Sequence, residues 1–272
     1  MTRFITLICA FFLVKAQAAQ PNILFILADD LGYGDVGCYN SESKVPTPHL
    51  DQLAKEGIRF TDALSPSTVC TPTRASLLTG RYPDMVGAPG VIRQWDNSSW
   101  GYFRPTGPTL PELMRKAGYH TGMVGKWHLG FKSPNIPNDR GFDFFHGFLA
   151  DMMDDYWTHL RGGVNWMRLN KEEVKPEGHA TEVFTQWAID YVKKQAANKN
   201  QPFFLYLATN APHGPFRVDP SWSDPYREKT TWRNGAEFYG MIAFNFGNQY
   251  IGLVEVLDTL TDTMHFQLIS SR

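Results

Sequence analysis

The sequence predicts an α/β fold with a mostly parallel central sheet and helices on both faces. Short apolar runs typical of buried strands alternate along the chain with helical segments. Polar side chains able to do chemistry follow several of these runs directly. In open α/β sheets, ligands bind beyond the carboxyl ends of the strands. The chain has 272 residues, 43% of them hydrophobic, which is enough for one large core.

Strand and helix signals occur in a regular order. Apolar runs predict four strands, at residues 23–27, 58–64, 121–124 and 202–209. Start and stop signals predict four helices, at residues 47–56, 72–79, 109–117 and 181–199. Each of the first three is followed by a glycine, and Thr109 with Glu112 predicts a capping box. No linker divides the chain.

The N-terminus predicts a secretory signal peptide at residues 1–18. Arg3 supplies its positive start, residues 5–14 its apolar core, and Ala16-Gln17-Ala18 a cleavage site. The apolar core is too short to span a membrane, and no other run predicts a membrane span. We therefore expect the mature chain to be secreted or periplasmic, or lysosomal in a eukaryotic host.

Charge and cysteine content exclude two further classes of protein. The formal net charge is −1 and the basic residues are scattered, so nothing predicts a nucleic-acid partner. Cys9 lies in the predicted signal peptide, which leaves Cys38 and Cys70. These two could form one disulfide in an oxidising compartment, but they are too few for a disulfide scaffold.

Several of the polar residues are expected to lie at one edge of the sheet. Asp29 and Asp30 follow the first strand, Lys126 and His128 follow the strand after Gly118, and His213 follows the last strand. In an extended segment, Lys126 and His128 would face the same side. Because the carboxyl ends of parallel strands share one edge, these five residues are predicted to converge.

Cys70 opens a predicted helix in the stretch STVCTPTRASLLTGRYP. Pro72 suits a first helical turn, and Gly80 suits the end of the helix. Cys70 is then held at the positive end of a helix, where anions are attracted. A cysteine with a purely structural role does not need that position.

Five segments together resemble the formylglycine-dependent sulfatases of the alkaline phosphatase superfamily. The run CTPTRASLLTGRYP from Cys70 contains C-x-P-x-R and its extension L-L-T-G-R. The other four occur in the family's order: PNILFILADDLGYGD, GYHTGMVGKWHLG, FFLYLATNAPHGPF and FYGMIA. The resemblance covers about residues 20–245 and implies the alkaline-phosphatase-like sulfatase fold.

The resemblance implies covalent catalysis at residue 70. A formylglycine-generating enzyme would read Pro72 and Arg74 and convert Cys70 to formylglycine, whose aldehyde hydrates to a gem-diol. One hydroxyl attacks the sulfur of a sulfate monoester, and the other then loses its proton and expels sulfate. Arg74 would lie near this nucleophile.

The resemblance also implies roles for the converging residues. Lys126 would contact the sulfate, and His128 would hydrogen-bond the formylglycine and assist its deprotonation. His213 would contact the sulfate and protonate the leaving oxygen. Asp29 and Asp30, together with the modified residue 70, would hold calcium, or less often magnesium. Carboxylate oxygens after a buried strand also suit such hard cations on chemical grounds.

The end of the chain departs from the family pattern. The family has a second metal-ligand pair in an S-D-N-G segment, and here Ser271 and Arg272 occupy those places. A cationic arginine cannot coordinate calcium. FYGMIA would begin a regular helix in the family, yet the residues after it are irregular. We expect residues 19–272 to be an incomplete N-terminal catalytic domain, truncated or frame-shifted, with the C-terminal part missing.

The favoured function is a sulfatase that cleaves sulfate monoesters of carbohydrates or aryl compounds, with a sulfated small molecule or glycan as substrate. One alternative is a phosphate or phosphonate ester hydrolase of the same superfamily. Another is an inactive fragment that only binds sulfated ligands. The segment at residues 141–170 is rich in aromatic and acidic residues, which suits either a sugar-binding wall or a packed insertion.

Overall fold

The computed structural model describes residues 20–95, 99–215, 218–226, 236–246, 249–258 and 263–271, the last three ranges as backbone strands. The predicted signal peptide at residues 1–18 lies outside these ranges. No helix in the described part of the chain has the length and apolar character of a membrane-spanning segment.

Between residues 20 and 226 the chain runs from one strand through three helices, then six strands, and then a helix, a strand and a last short helix. The helices are α1 (Pro48–Glu56), α2 (Cys70–Thr79), α3 (Leu110–Lys116), α4 (Ala180–Ala197) and α5 (Pro220–Ser223). The strands in this part are β1 (Ile23–Asp29), β2 (His120–Lys126), β3 (Phe144–Phe148), β4 (Leu160–Arg161), β5 (Val164–Asn165), β6 (Met167–Leu169), β7 (Glu172–Glu173) and β8 (Phe203–Pro212). Three further strands follow, β9 (Ala236–Phe246), β10 (Gln249–Asp258) and β11 (Thr263–Ser271).

The central sheet has six strands in the order β1-β8-β2-β3-β6-β7. The first four are parallel, and β6 and β7 add antiparallel strands at one side. The predicted mostly parallel sheet is therefore confirmed. This order places the carboxyl ends of β1, β8 and β2 side by side, and these are the strands that the predicted site residues follow.

Helices cover both faces of the sheet, as predicted. Successive residues of β2 point to opposite faces. Met123 packs in one core cluster with Ala75 and Leu78 of α2. Val124 packs in a second cluster with Phe184 of α4.

Local signals explain where the helices end. Gly57 follows α1, and Gly80 follows α2 in the left-handed conformation with a φ of 63°. At the start of α3 the Thr109 backbone N–H donates to Glu112 Oε2 over 2.7 Å, which confirms the predicted contact of the capping box. The helix of the cysteine segment begins at Cys70 itself, two residues before the predicted start.

Two predicted elements are wrong. Residues 58–64 form no strand, and Ile58 and Phe60 are 84% and 67% exposed. No described strand lies beside this segment to complete its backbone hydrogen bonds, so its apolar pattern alone does not make it a strand. FYGMIA lies in β9 rather than in a helix. Its aromatic and β-branched residues favour a strand, and β9, β10 and β11 form an antiparallel sheet of their own.

The end of the chain and the cysteines complete the comparison with the sequence predictions. Ser271 pairs with Tyr250 at the end of β11, and Arg272 lies outside the described residues. Cys38 and Cys70 are both free thiols, so the disulfide considered from the sequence is not formed.

Candidate active site

Cys70 stands at the amino end of α2 and opens into a cleft. The residue before it, Val69, is extended, so the chain turns into the helix at Cys70. The cleft beside it is also lined by Asp30, His128 and His213. Four of the predicted site residues therefore converge, although they come from four separate segments. We call this site the Cys70 cleft.

The other three predicted residues form a buried layer that does not line the cleft. Asp29 accepts hydrogen bonds from two cations: Arg74 Nη2 lies 3.0 Å from its Oδ1, and Lys126 Nζ lies 2.5 Å from its Oδ2. Arg74 Nη1 also donates to the Lys126 carbonyl oxygen over 2.8 Å and to the Tyr206 hydroxyl over 3.3 Å. Lys126 is thus buried and paired with a carboxylate, where the sequence predicted a sulfate contact.

The two cations keep Asp29 ionised. Burial by itself would raise the pKa of Asp29, but the charges of Lys126 and Arg74 outweigh it and hold the pKa well below its usual value. Lys126 stays protonated for the same reason, since Asp29 raises its pKa despite the burial. The layer therefore carries a fixed negative charge between two fixed positive charges.

Asp30 and His213 face each other in the lining of the cleft. Asp30 has a φ of 63°, which is rare for a residue with a side chain and turns it away from the line of β1. Its Oδ2 lies 3.6 Å from His213 Nε2. Burial and the charge of Asp29 raise the pKa of Asp30. The two adjacent aspartates therefore have different surroundings: Asp29 is bonded to two cations, and Asp30 turns toward the cleft.

His128 is a buried neutral imidazole with a defined tautomer. Its Nε2 lies 3.0 Å from the Ile92 carbonyl oxygen, so Nε2 carries the proton. Its Nδ1 is buried without a hydrogen-bond partner among the described residues. Burial, together with the charge of Lys126, lowers the pKa of His128 well below its usual value. His128 is therefore neutral, with an unprotonated Nδ1.

The backbone around His128 is held in a strained conformation. His128 has a φ of 57°, in the left-handed region, and such strain is often found at functional sites. The buried Thr71 hydroxyl donates to the His128 carbonyl oxygen over 3.2 Å and accepts from the Ile92 N–H over 3.3 Å. The residue after Cys70 thus fixes His128 and its partner in place.

Three further charged side chains line the cleft, those of Arg93, Asp151 and Arg161. Arg161 makes a bidentate pair with Asp151, with Nε–Oδ1 and Nη2–Oδ2 distances of 2.9 and 3.1 Å. Arg161 also contacts Asp154 over 3.1 Å, and its guanidinium lies 5.9 Å from the centre of the Trp95 ring. These contacts fix the orientation of the Arg161 side chain in the lining of the cleft.

The residues present fit only part of a calcium site. Asp30 offers carboxylate oxygens to the cleft, the right donors for a hard cation, whereas both oxygens of Asp29 are bonded to Arg74 and Lys126. Calcium takes about six to eight oxygen ligands. Among the described residues no group of three or more His, Cys, Asp or Glu side chains is placed to hold a metal. The donor chemistry agrees with the sequence prediction, whereas the number of ligands does not complete a shell.

The sequence of this chain matches one protein family over most of its length. The sulfatase family model matches residues 21–268. The chain belongs to the sulfatase family. Human N-acetylgalactosamine-6-sulfatase is 36% identical over 211 residues, which cover 72% of this chain and 40% of that protein.

Solved sulfatase structures match the fold as well. The crystal structure of Ps i-CgsB in complex with k-i-k-neocarrahexaose has a TM-score of 0.69 and 34% identity, covering 77% of this chain and 49% of that one. The structure of BT4656 in complex with its substrate D-glucosamine-2-N,6-O-disulfate has a TM-score of 0.60 and 28% identity, covering 76% and 38%. This chain of the sulfatase family thus spans less than half of each of these three proteins.

Proposed function

We propose that this protein hydrolyses sulfate monoesters of carbohydrates, with formylglycine made from Cys70 as the nucleophile. The observation that carries the proposal is the convergence of Cys70, His128, His213 and Asp30 on one cleft. Membership of the sulfatase family supports the reaction class. Sugar sulfates are favoured as substrates because the relatives named above include an N-acetylgalactosamine-6-sulfatase and a protein solved with a sulfated glucosamine.

The formylglycine, when present, supplies a hydrated aldehyde whose hydroxyl groups attack sulfur and later release sulfate. In this proposal His128 takes a proton from this nucleophile. Its position in the cleft lining, its unprotonated Nδ1 and the hydrogen bond of its Nε2 to Ile92 support this role. Burial keeps the imidazole neutral, so the acceptor is ready before the substrate binds.

His213 is the general acid in this proposal. Its Nδ1 lies 2.7 Å from the Gly214 carbonyl oxygen and therefore carries a proton, which leaves Nε2 facing Asp30 and the cleft. In this role the imidazolium form gives its Nε2–H proton to the sugar oxygen as the bond between sulfur and oxygen breaks. The sugar then leaves as a neutral alcohol.

Arg74 and Lys126 position Asp29 and place positive charge behind the cleft. Both cations are buried and bonded to Asp29, so they attract a sulfate anion without direct exposure. Calcium or magnesium would be held by Asp29, Asp30 and the modified residue 70, and would polarise a sulfate oxygen. The remaining oxygen ligands would have to come from outside this set.

A formylglycine-generating enzyme is a required partner in this proposal, since Cys70 is a free cysteine in a C-x-P-x-R sequence. The N-terminal sequence MTRFITLICAFFLVKAQAA supports export by a signal peptide. We therefore propose that the protein acts in a secreted, periplasmic or lysosomal compartment.

Replacing His213 by alanine should lower kcat/KM most for substrates with poor leaving groups. A sugar alkoxide needs a proton as it leaves, whereas an activated aryl oxide leaves without one. We expect kcat/KM to fall by about a hundredfold or more on a sugar sulfate and far less on 4-nitrophenyl sulfate. The control is His49→Ala, an exposed histidine of α1. Equal losses on both substrates would contradict the role of His213 as general acid.

Replacing Asp30 by alanine should weaken calcium binding. Asp30 turns toward the cleft and forms no ion pair with Arg74 or Lys126, which both pair with Asp29. Losing one carboxylate ligand should raise the Kd for calcium by about tenfold or more, measured by calorimetric titration. Asp35→Ala is the matched control, because Asp35 lies in a short 3₁₀ turn in the same loop. An unchanged Kd in Asp30→Ala would remove Asp30 from the ligand set.

A further inference from the structure

A second cavity with an aromatic wall lies beside the Cys70 cleft. It encloses about 220 Å³ and is lined by Trp157, Trp222, His179, Glu182 and Asp219, among others. Trp157 and Trp222 are 47% and 70% exposed, so two large indole surfaces face solvent at this place. We call it the tryptophan cavity.

The tryptophan cavity and the Cys70 cleft share one wall. Ala211 lines the tryptophan cavity, and His213, two residues further along the chain, lines the cleft. Tyr156 ties the two sites together: its hydroxyl donates to the His213 carbonyl oxygen over 2.7 Å, and its ring stacks on His179 at 5.2 Å. A ligand longer than one sugar unit can therefore extend from one site toward the other.

The lining chemistry favours an uncharged sugar ring. Indole surfaces pack against the C–H face of a pyranose, and carboxylates accept hydrogen bonds from its hydroxyl groups. Glu182 and Asp219 are the charged residues of the lining, and no Lys or Arg is found among its described members. Negative charge without a cation disfavours a sulfate group there.

A backbone hydrogen bond fixes the orientation of His179 in the wall of the cavity. Its Nδ1 accepts a hydrogen bond from the Thr181 N–H over 3.4 Å at the start of α4, so Nε2 carries the proton of the neutral ring. That Nε2 is buried without a partner among the described residues. His179 thus contributes its ring to the wall of the cavity, and the carboxylates of the lining are those of Glu182 and Asp219.

We propose that the tryptophan cavity is a subsite for a neutral pyranose of an oligosaccharide whose sulfated residue occupies the Cys70 cleft. This rests on the proposed function for the identity of the substrate. The binding of an uncharged oligosaccharide in the cavity does not require turnover. The subsite and the proposed function can therefore be contradicted independently of each other.

Calorimetric titration of the full chain with neutral hexasaccharides tests the subsite. The probes are neoagarohexaose, N-acetylchitohexaose and cellohexaose, which carry no sulfate. We expect saturable binding of at least one of them, weakened by about tenfold in Trp222→Ala. Trp100→Ala is the control, because Trp100 is 74% exposed but does not line the cavity. Cys70→Ala should bind the same probe as tightly as the wild type.

Glu182→Gln provides a second variant that keeps the size of the side chain. Glu182 is exposed in the first turn of α4, so the change should not affect folding. Loss of the carboxylate should weaken binding of the same hexasaccharide by about threefold to tenfold. Absence of binding by all three probes, or equal affinities for wild type, Trp222→Ala and Glu182→Gln, would overturn the subsite. Absence of sulfate release with intact hexasaccharide binding would instead overturn the proposed function.

Discussion

Replacing Cys70 by alanine should lower sulfate release by at least about a thousandfold, because no aldehyde nucleophile can form at residue 70. Cys70 begins α2 and lines the cleft that is also lined by His128 and His213. Alanine keeps the helix start and removes only the thiol. The measurement is sulfate release from a sugar sulfate by protein prepared with the formylglycine-generating enzyme.

Two further variants show whether the loss of activity comes from the missing formylglycine or from the loss of any thiol. Cys38→Ala removes the other described cysteine, which lies outside the cleft, and should leave the rate unchanged. Cys70→Ser should accept one sulfate and keep it, because a serine carbon has no second hydroxyl to expel the sulfate. Intact mass should then show one sulfate per chain. Steady turnover in Cys70→Ala or Cys70→Ser would contradict the formylglycine nucleophile.

Replacing Asp29 by asparagine should destabilise the fold strongly. Asp29 neutralises two buried cations, Arg74 and Lys126, whose side chains are 1% and 0% exposed. Removing the shared partner leaves both charges without compensation, and breaking a buried pair typically costs about 3–5 kcal/mol in the free energy of unfolding. Urea unfolding of the variant and the wild type gives the difference directly.

The control for this prediction is Asp139→Asn. Asp139 also bonds a lysine, Lys171, over 2.8 Å, but that lysine is 59% exposed. Ion pairs of this kind contribute about 1 kcal/mol or less. If Asp29→Asn cost no more than Asp139→Asn, the buried layer would not hold the site together in the way described.

The sequence predicted the convergence of the site because parallel strands have a common carboxyl edge. Asp30 follows β1, His128 follows β2 and His213 follows β8, and these three strands are neighbours in the sheet. Predicting that these residues converge required no knowledge of contacts between distant parts of the chain. The parallel pairing of β1, β8 and β2 places their carboxyl ends at one edge, and each residue lies there because it directly follows its strand.

The division of the site into two layers could not be predicted from the sequence. Lys126 and His128 were expected to face the same side, yet Lys126 is bonded to Asp29 while His128 lines the cleft. The positive φ of His128 breaks the extended geometry on which that expectation rested. Which of two adjacent aspartates pairs with the cations is likewise a property of the packed core.

The aromatic and acidic segment at residues 141–170 had two open interpretations, and the structure contains parts of both. Phe145 and Phe148 are fully buried in the two core clusters, which is packing. Asp151 and Arg161 line the Cys70 cleft, and Trp157 lines the tryptophan cavity. Composition indicated the segment, but only the fold assigns each side chain to the core or to a site.

The most direct test of the proposed function is the rate of sulfate release from D-glucosamine-2-N,6-O-disulfate, measured with calcium against the fraction of residue 70 converted to formylglycine. The proposal predicts a rate that rises in proportion to that fraction, with no comparable cleavage of glucosamine 6-phosphate. A rate independent of conversion, faster cleavage of the phosphate ester, or no sulfate release at full conversion would contradict it.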